Sequence, residues 1–421
     1  MSDLLRELEW RGFVQQATPG LDAHLARGPL TAYCGFDPTA PSLQLGNLMP
    51  LMLLATLQRH GHRPIVLMGG GTGLIGDPSG KRGERPLLSK EQIRENLQRQ
   101  RDQMARFLEF GAGKTAALLL DNAKWLVALG LIDFLRDVGK HFTVNVMLQK
   151  ESVQARLETG LSYTEFSYML LQAYDFLHLY RERQCTLQVG GSDQWGNITA
   201  GVDLIRRVEN GEAHGLVAPL VTMASGQKFG KSEEGAIYLD PALTSPYKFY
   251  QFWINVDDRD VEAYLKLFTL KSKDEIDMVM VSHRSDPSKR VAQIELAKDV
   301  TARVHGPLAL KGTVVASAVL FGDLTVAQAI TEEALAVLEG EIPTVVLLEG
   351  ESEISIMDAL VKGRLAKSKG EARRSIEQGG VYLNQVRVTE ATRTLRDDWV
   401  GGRLVLLRKG KKEYVILRLP K

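Results

Sequence analysis

The 421-residue sequence predicts an α/β chain: a doubly wound parallel sheet first, a helical segment next, and a small basic α+β module last. Three observations predict it. Residues 30–68 read strand, turn-rich loop, helix, strand; residues 184–208 repeat the theme as strand, glycine turn and helix; and from Glu353 onwards the charge and the element lengths change character. Two strand-to-helix turns of this kind give a Rossmann-type layout, in which ligands sit beyond the carboxyl ends of the strands and anions favour the helix N-terminus. An adenine nucleotide is the natural tenant of such a pair.

The first strand spans 30–35, with Leu30, Ala32 and Cys34 alternating with their neighbours, and Asp37-Pro38-Thr39 and Pro41-Ser42 forbid its continuation. A helix opens at Gly46-Asn47, where Leu48, Leu51, Met52 and Ala55 recur at helical spacing until Gly61 stops it. Pro50 falls in its first turn, where no N–H bond is lost. The apolar run 64–68 completes a βαβ unit. Gly69-Gly70-Gly71-Thr72-Gly73 and Asp77 follow, without the G-x-x-x-x-G-K-[ST] pattern of a phosphate loop. Such glycines let the backbone come close to a ligand. Asp77 has two readings, a local turn bond or a carboxylate offered to an ammonium group. Lys81, Arg82 and Arg85 are a candidate phosphate contact.

Ser89-Lys90-Glu91-Gln92 is a capping box that opens a helix to about Phe110. A strand at 118–120 and helices at 132–139, 143–158 and 164–180 follow. In the last of these, Tyr168, Gln172 and Asp175 stand at i, i+4 and i+7, hence on one face, either solvated or aimed at a ligand. The strand 184–189 ends in Gly190-Gly191-Ser192-Asp193-Gln194, before a helix over 198–208. Asp193 either caps that helix or holds ribose hydroxyls. Residues 224–244 form a glycine-rich loop with Lys228, Lys231 and Ser232, and 245–322 are helical throughout. A linker over 323–351 carries one amphipathic helix and the apolar run 344–348. The module 352–421 has a helix at 356–362, another capped at Ser368 and closed by Gly379-Gly380, and strands at 381–383, 404–407 and 414–419.

Composition bounds the function. Hydrophobic residues make up 44% and charged residues 24%, as in ordinary globular proteins, and no apolar run approaches the ~18 residues of a membrane span. The acidic start MSDLLRELEW does not read as a signal peptide. Cys34 and Cys185 are the two cysteines, without a C-x-x-C or a Cys/His cluster, so buried free thiols, a reducing compartment and no protein-bound metal are expected. Net charge is +1, but it is unevenly spread: Glu353 to Lys421 hold 16 Lys/Arg against 8 Asp/Glu, and the remaining 352 residues hold 36 against 43. A basic tail on an acidic body is either a solvated surface or the footprint of a polyanion partner.

Motifs sharpen this. Cys34-Gly35-Phe36-Asp37-Pro38-Thr39 followed by Gln44-Leu45-Gly46-Asn47 resembles the first signature of class I aminoacyl-tRNA synthetases of the bacterial tyrosyl type. Lys228-Phe229-Gly230-Lys231-Ser232 resembles the second, K-M-S-K-S, in its tyrosyl form. The resemblance covers essentially the whole chain and is densest over 161–201. It implies a catalytic domain over 1–223, the signature loop 224–244, an anticodon-side helical domain over 245–322, the linker 323–351 and an S4-type RNA-binding domain over 352–421. The activity it implies is formation of tyrosyl-adenylate from tyrosine and ATP, then transfer of tyrosine to tRNA. The implied partners are L-tyrosine, ATP with its Mg2+, and tRNA(Tyr), in a cytoplasmic homodimer with no membrane contact. Carried over by position, Tyr33 and Asp175 would hold the phenol, and Asp77, Tyr168 and Gln172 the ammonium group, with Gln188 nearby. Gly35, Asp37, Thr39, Gly46, Gly191, Asp193, Gln194 and Ser232 would line ATP, while Lys228 and Lys231 would grip the pyrophosphate.

One departure stands out. The first signature normally carries two histidines, replaced here by Gln44 and Asn47, which donate N–H bonds but carry no positive charge. The alternative reading is therefore a catalytically weakened, synthetase-like RNA-binding protein. A tryptophan enzyme is disfavoured, because indole offers a single donor to a site with both Asp175 and Tyr33.

Overall fold

The computed structural model describes residues 1–79, 88–150, 153–154, 160–227, 229–232, 235–321, 331–410 and 413–420. Lys81, Arg82, Arg85 and Lys228 lie outside the described residues, as does the side chain of Ser232. The chain divides into two compact units, Met1–Asp240 with Val256–Leu296, and Pro241–Asn255 with Ala297–Lys421.

The first unit is built on six strands: β1 (Gln16–Ala17), β2 (Thr31–Phe36), β3 (Arg63–Met68), β4 (Leu118–Asp121), β5 (Cys185–Gly191) and β6 (His214–Ala218). Their order is β1-β6-β5-β2-β3-β4, parallel throughout except β1 on β6. A separate hairpin pairs β7 (Lys231–Ser232) with β8 (Gly235–Ala236). From β2 the chain moves outward to β3 and β4, then returns to lay β5 on the other side of β2. The strand order thus reverses between β2 and β5, the place where α/β sheets open a crevice at their carboxyl ends. Helix α1 (Leu48–Arg59) follows β2, and α2 (Tyr163–Arg183) and α3 (Trp195–Glu209) flank β5. All of α1 except Pro50, Gln58 and Arg59 is buried, which explains its apolar run on every face. Ala173, Phe176, Leu204 and Ile205 share one core with Tyr33, Ile65 and Leu67 of the sheet.

Several boundaries differ from the sequence expectation. The helix capped at Ser89 ends at Met104 rather than near Phe110. Strand β5 continues through both glycines to Gly191, and the turn is the single 3-10 turn Ser192–Gln194. Helix α3 starts at Trp195, and no side chain caps it, so Asp193 is not its cap. Of the helix expected over 143–158, Val144–Leu148 is formed, and part of the remainder lies outside the described residues.

In the second unit, β9 (Thr344–Val346), β10 (Val381–Leu383), β11 (Val386–Arg387), β12 (Leu404–Lys409) and β13 (Glu413–Arg418) form a sheet in the order β11-β10-β12-β13-β9. Residues 344–346, placed by the sequence in a linker, pair with β13 in parallel. Alternation explains the apolar runs of β12 and β13. Val405, Leu407, Val415 and Leu417 face one core with Ile356, Leu360 and Ile376, while Leu404, Leu406, Tyr414 and Ile416 face a second with Ala316, Val319, Leu335 and Leu338. Both faces of the two central strands are thus buried over 404–407 and 414–417, while β11 at the edge is exposed.

Candidate active site

A cavity of about 440 Å3 opens at the reversal between β2 and β5. That is ample for a small-molecule ligand. Of the residues singled out in the sequence, Tyr33, Gly35, Asp37, Thr39, Gly46, Asn47, Asp77, Tyr168, Gln172, Asp175, Gln188, Gly191, Asp193 and Gln194 all line it. The stripe Tyr168, Gln172, Asp175 therefore faces the cavity and not solvent. Gln44 and Lys231 are not among the lining residues. Lys231 is exposed on the β7–β8 hairpin. Phe229 of the same loop does reach the cavity, and its ring stacks on Phe268 with centroids 5.2 Å apart.

One polar chain runs along the floor. Asp175, 2% exposed, accepts from Trp125 Nε1 at 2.7 Å and from Asn122 Nδ2 at 2.9 Å. Asn122 also donates to Thr72 Oγ1 and accepts from the Gly71 N–H, so both ends of its amide are engaged. Thr72 donates to Asp37 Oδ1 at 2.8 Å, and Tyr168 donates to Asp37 Oδ2 at 2.9 Å. Trp125 is held in turn by a stack on His178, with centroids 4.2 Å apart. Burial pushes the Asp175 carboxyl up to about 7; the Asn122 and Trp125 hydrogen bonds oppose this, and the Asp37 and Asp121 charges add to it.

Beside this chain stand two unsatisfied groups. The Tyr33 hydroxyl and Gln188 Oε1 are buried without a hydrogen-bond partner. A buried hydroxyl left alone costs on the order of 1–3 kcal/mol, so a ligand that offers it a bond recovers that cost. Burial, then the nearby Asp175 charge, holds the Tyr33 phenol well above its ordinary pKa, so it is a neutral donor.

At the other end, Asp77 accepts from the Ser79 N–H at 2.9 Å and from Gln194 Nε2 at 2.7 Å. Its turn bond and its place in the cavity coexist. Asn197 donates to both Gln172 Oε1 and Gln194 Oε1. Asn47 Oδ1 accepts from the Gln44 N–H at 2.8 Å, which fixes the turn leading into α1. The glycine run has a reason other than the ligand approach expected of it. A Cβ on Gly69 would overlap Asp37 Oδ1, and one on Gly70 would overlap Asp121 Oδ1. These glycines make room for Asp37, which lines the cavity, and for Asp121 at the end of β4.

Sequence reasoning misses Asn122, Trp125 and Thr72. A signal exists for Asn122, which directly follows a strand at the carboxyl edge of the sheet. Nothing local marks Trp125.

Residues 25–322 match the family described as tRNA synthetases class I (W and Y), which leaves tyrosine and tryptophan open. Residues 334–417 match the tyrosine–tRNA ligase SYY-like C-terminal domain. A tyrosine–tRNA ligase of Anaeromyxobacter dehalogenans is 53% identical over 421 residues, 100% of both chains. The chain belongs to the tyrosine–tRNA ligase family. Tyrosine–tRNA ligase 1 of Bacillus subtilis is 48% identical, covering 99% of each chain. The truncated mitochondrial tyrosyl-tRNA synthetase of Coccidioides posadasii superposes with a TM-score of 0.66 at 32% identity, covering 74% of this chain and 91% of that one. The activity is accordingly that of a tyrosine–tRNA ligase, an ATP-dependent enzyme of class I. Among the described residues no helix is long and apolar enough to cross a membrane.

Proposed function

We propose that the cavity holds L-tyrosine with its phenol between Tyr33 and Asp175, its ammonium group toward Asp77, Tyr168 and Gln172, and ATP along Gly35, Thr39, Gly46, Asn47, Gly191, Asp193 and Gln194. The observation that carries this reading is the pairing of an orphaned Tyr33 hydroxyl with a buried carboxylate already oriented by two donors. A phenol donates to the carboxylate and accepts from the hydroxyl; a phenyl ring leaves both unmet. The tyrosine carboxylate is ionised at neutral pH and needs no general base. It attacks the α-phosphorus of ATP in line, the P–O bond to pyrophosphate breaks, and tyrosyl-adenylate remains. The terminal ribose hydroxyl of the tRNA then attacks the acyl carbon and expels AMP. Asn47 offers amide donors to the phosphates where a histidine is usual, and Lys228 and Lys231 bring positive charge to the departing pyrophosphate. ATP enters as its Mg2+ complex, the ion travelling with the phosphates; dependence of the exchange rate on Mg2+ tests this. Pyrophosphate exchange into ATP with each amino acid in turn is the direct test of the site: exchange with tyrosine alone supports it, and exchange with tryptophan or with none overturns it.

The Asp175 carboxyl gives a pH signature. Its folded value of about 7 lies above that of a free carboxyl. A phenol O–H donated to it favours the ionised form, so tyrosine binding releases a proton below about pH 7, and affinity rises with pH until about 7 and then levels. Calorimetric titration in buffers of different ionisation enthalpy should show proton release near about pH 6 and almost none near about pH 8. Equal proton exchange at both would remove Asp175 as the phenol partner.

The domain over 352–421 is proposed as an S4-type RNA clamp, with exposed Arg364, Lys367, Arg373 and Arg374 facing the tRNA backbone. Replacing Arg373 and Arg374 by Glu should leave adenylate formation intact and weaken tRNA charging. The salt slope of tRNA affinity should fall by about one to two units. An unchanged slope would place the RNA elsewhere.

The enzyme is further proposed to act as a cytoplasmic homodimer. Leu131 and Ile132 are 70% and 72% exposed, and Val127, Val144 and Val146 nearby in the chain are exposed as well. Such a face fits a second copy of the chain. Sedimentation of Ile132→Asp should show monomers where the parent shows dimers, and an unaltered dimer would refute this face. The cytoplasmic setting fits the two buried free thiols, and cell fractionation tests it.

A further inference from the structure

Two of the eight histidines, His24 and His214, meet Glu212 at the amino ends of β5 and β6. The cavity is lined by β5 from Gln188 onward, so along that strand it begins roughly 7 Å beyond Thr186 at the usual rise per residue. One ring nitrogen from each histidine and one Glu212 oxygen all lie within 4.8 Å of one another. His24 Nδ1 is 4.0 Å from Glu212 Oε2, and His214 Nε2 is 3.4 Å from Glu212 Oε1. The other two ring nitrogens are held from behind, His24 Nε2 by Thr186 Oγ1 at 2.8 Å and His214 Nδ1 by Thr18 Oγ1 at 3.2 Å. Thr18 Oγ1 itself accepts from the Gly215 N–H. His24 Nδ1 is a buried atom without a hydrogen-bond partner.

We propose that His24, Glu212 and His214 form a binding site for a divalent transition-metal ion of the zinc class. Two imidazoles and a carboxylate suit Zn2+, whereas Mg2+ and Ca2+ prefer oxygen ligands. Hydroxyls behind both rings supply the outer partners that orient metal-binding histidines. Glu212 is 49% exposed, which leaves water access to a fourth position. Arg27 contacts both Glu212 oxygens, at 2.5 and 3.3 Å, and so moderates the affinity without occupying either histidine nitrogen. The site joins the helix Leu21–Leu25 to the start of β6 and would brace that edge of the sheet, distinct from the tyrosine cavity.

The test uses the full-length chain, freed of metal by a chelator and titrated with Zn2+ by calorimetry, with Co2+ as a spectroscopic stand-in. One ion should bind per chain, raise the thermal midpoint, and with Co2+ give the visible absorption of a four-coordinate site. His24→Gln and Glu212→Gln should each weaken Zn2+ affinity by about 100-fold or more, beyond the range expected of an outer partner, and Thr186→Val by about 10-fold. Tyrosine-dependent pyrophosphate exchange should be retained in all three, which reports that they fold. Zn2+ affinity unchanged in His24→Gln and Glu212→Gln, or no saturable binding to the parent chain, overturns the proposal.

Discussion

Asp175→Asn is expected to lower kcat/KM for tyrosine activation by about 10²–10⁴-fold. The substitution removes a charged acceptor, and the new amide places a donor against one of two existing donors, Asn122 Nδ2 and Trp125 Nε1. A lost charge-assisted bond together with a buried unmet donor amounts to roughly 3–6 kcal/mol, which gives that range. Preference for tyrosine over phenylalanine should fall in step. In the parent it is expected at ~10⁵, a figure characteristic of this enzyme class. Tyr33→Phe is the milder companion. Its hydroxyl has no protein partner, so folding stability should hold while tyrosine binding weakens by about 2–10-fold. Steady-state exchange kinetics, with melting curves alongside, check both. Unaltered discrimination in Asp175→Asn would mean that the phenol lies elsewhere.

Lys231→Ala is expected to slow adenylate formation by about 10²–10³-fold while leaving tyrosine affinity almost unchanged. Lys231 is exposed and stands outside the cavity lining, on a hairpin whose neighbouring Phe229 is anchored against Phe268. A cation that reaches the phosphates only as charge develops there stabilises the transition state more than the ground state. Single-turnover kinetics separate the rate from tyrosine binding. A matching loss of tyrosine affinity would contradict the role.

Much of the cavity is legible in the sequence because periodicity carries it. Tyr168, Gln172 and Asp175 share a face by helical spacing alone, and the end of β5 at Gly191 with the turn Ser192–Gln194 behind it places Gly191, Asp193 and Gln194 at a strand end. What is hidden depends on how distant segments meet. Asn122 and Trp125 reach Asp175 across 53 and 50 residues of chain, and the pairing of β3 with β4 is what carries them there. The cluster of His24, Glu212 and His214 is illegible for the same reason, since Thr186 and both histidines come from separate elements. At Gly69 and Gly70 the sequence shows that space is needed but not what fills it, and the carboxylates of Asp37 and Asp121 lie there.

The C-terminal sheet has a bearing on how this enzyme is handled in the laboratory. Because β12 and β13 lie between two apolar layers, trimming the chain at Ser352 would strip the cover from Ala316, Val319, Leu335 and Leu338. Shortened versions made to study adenylation alone should therefore clump unless those four positions are given polar side chains.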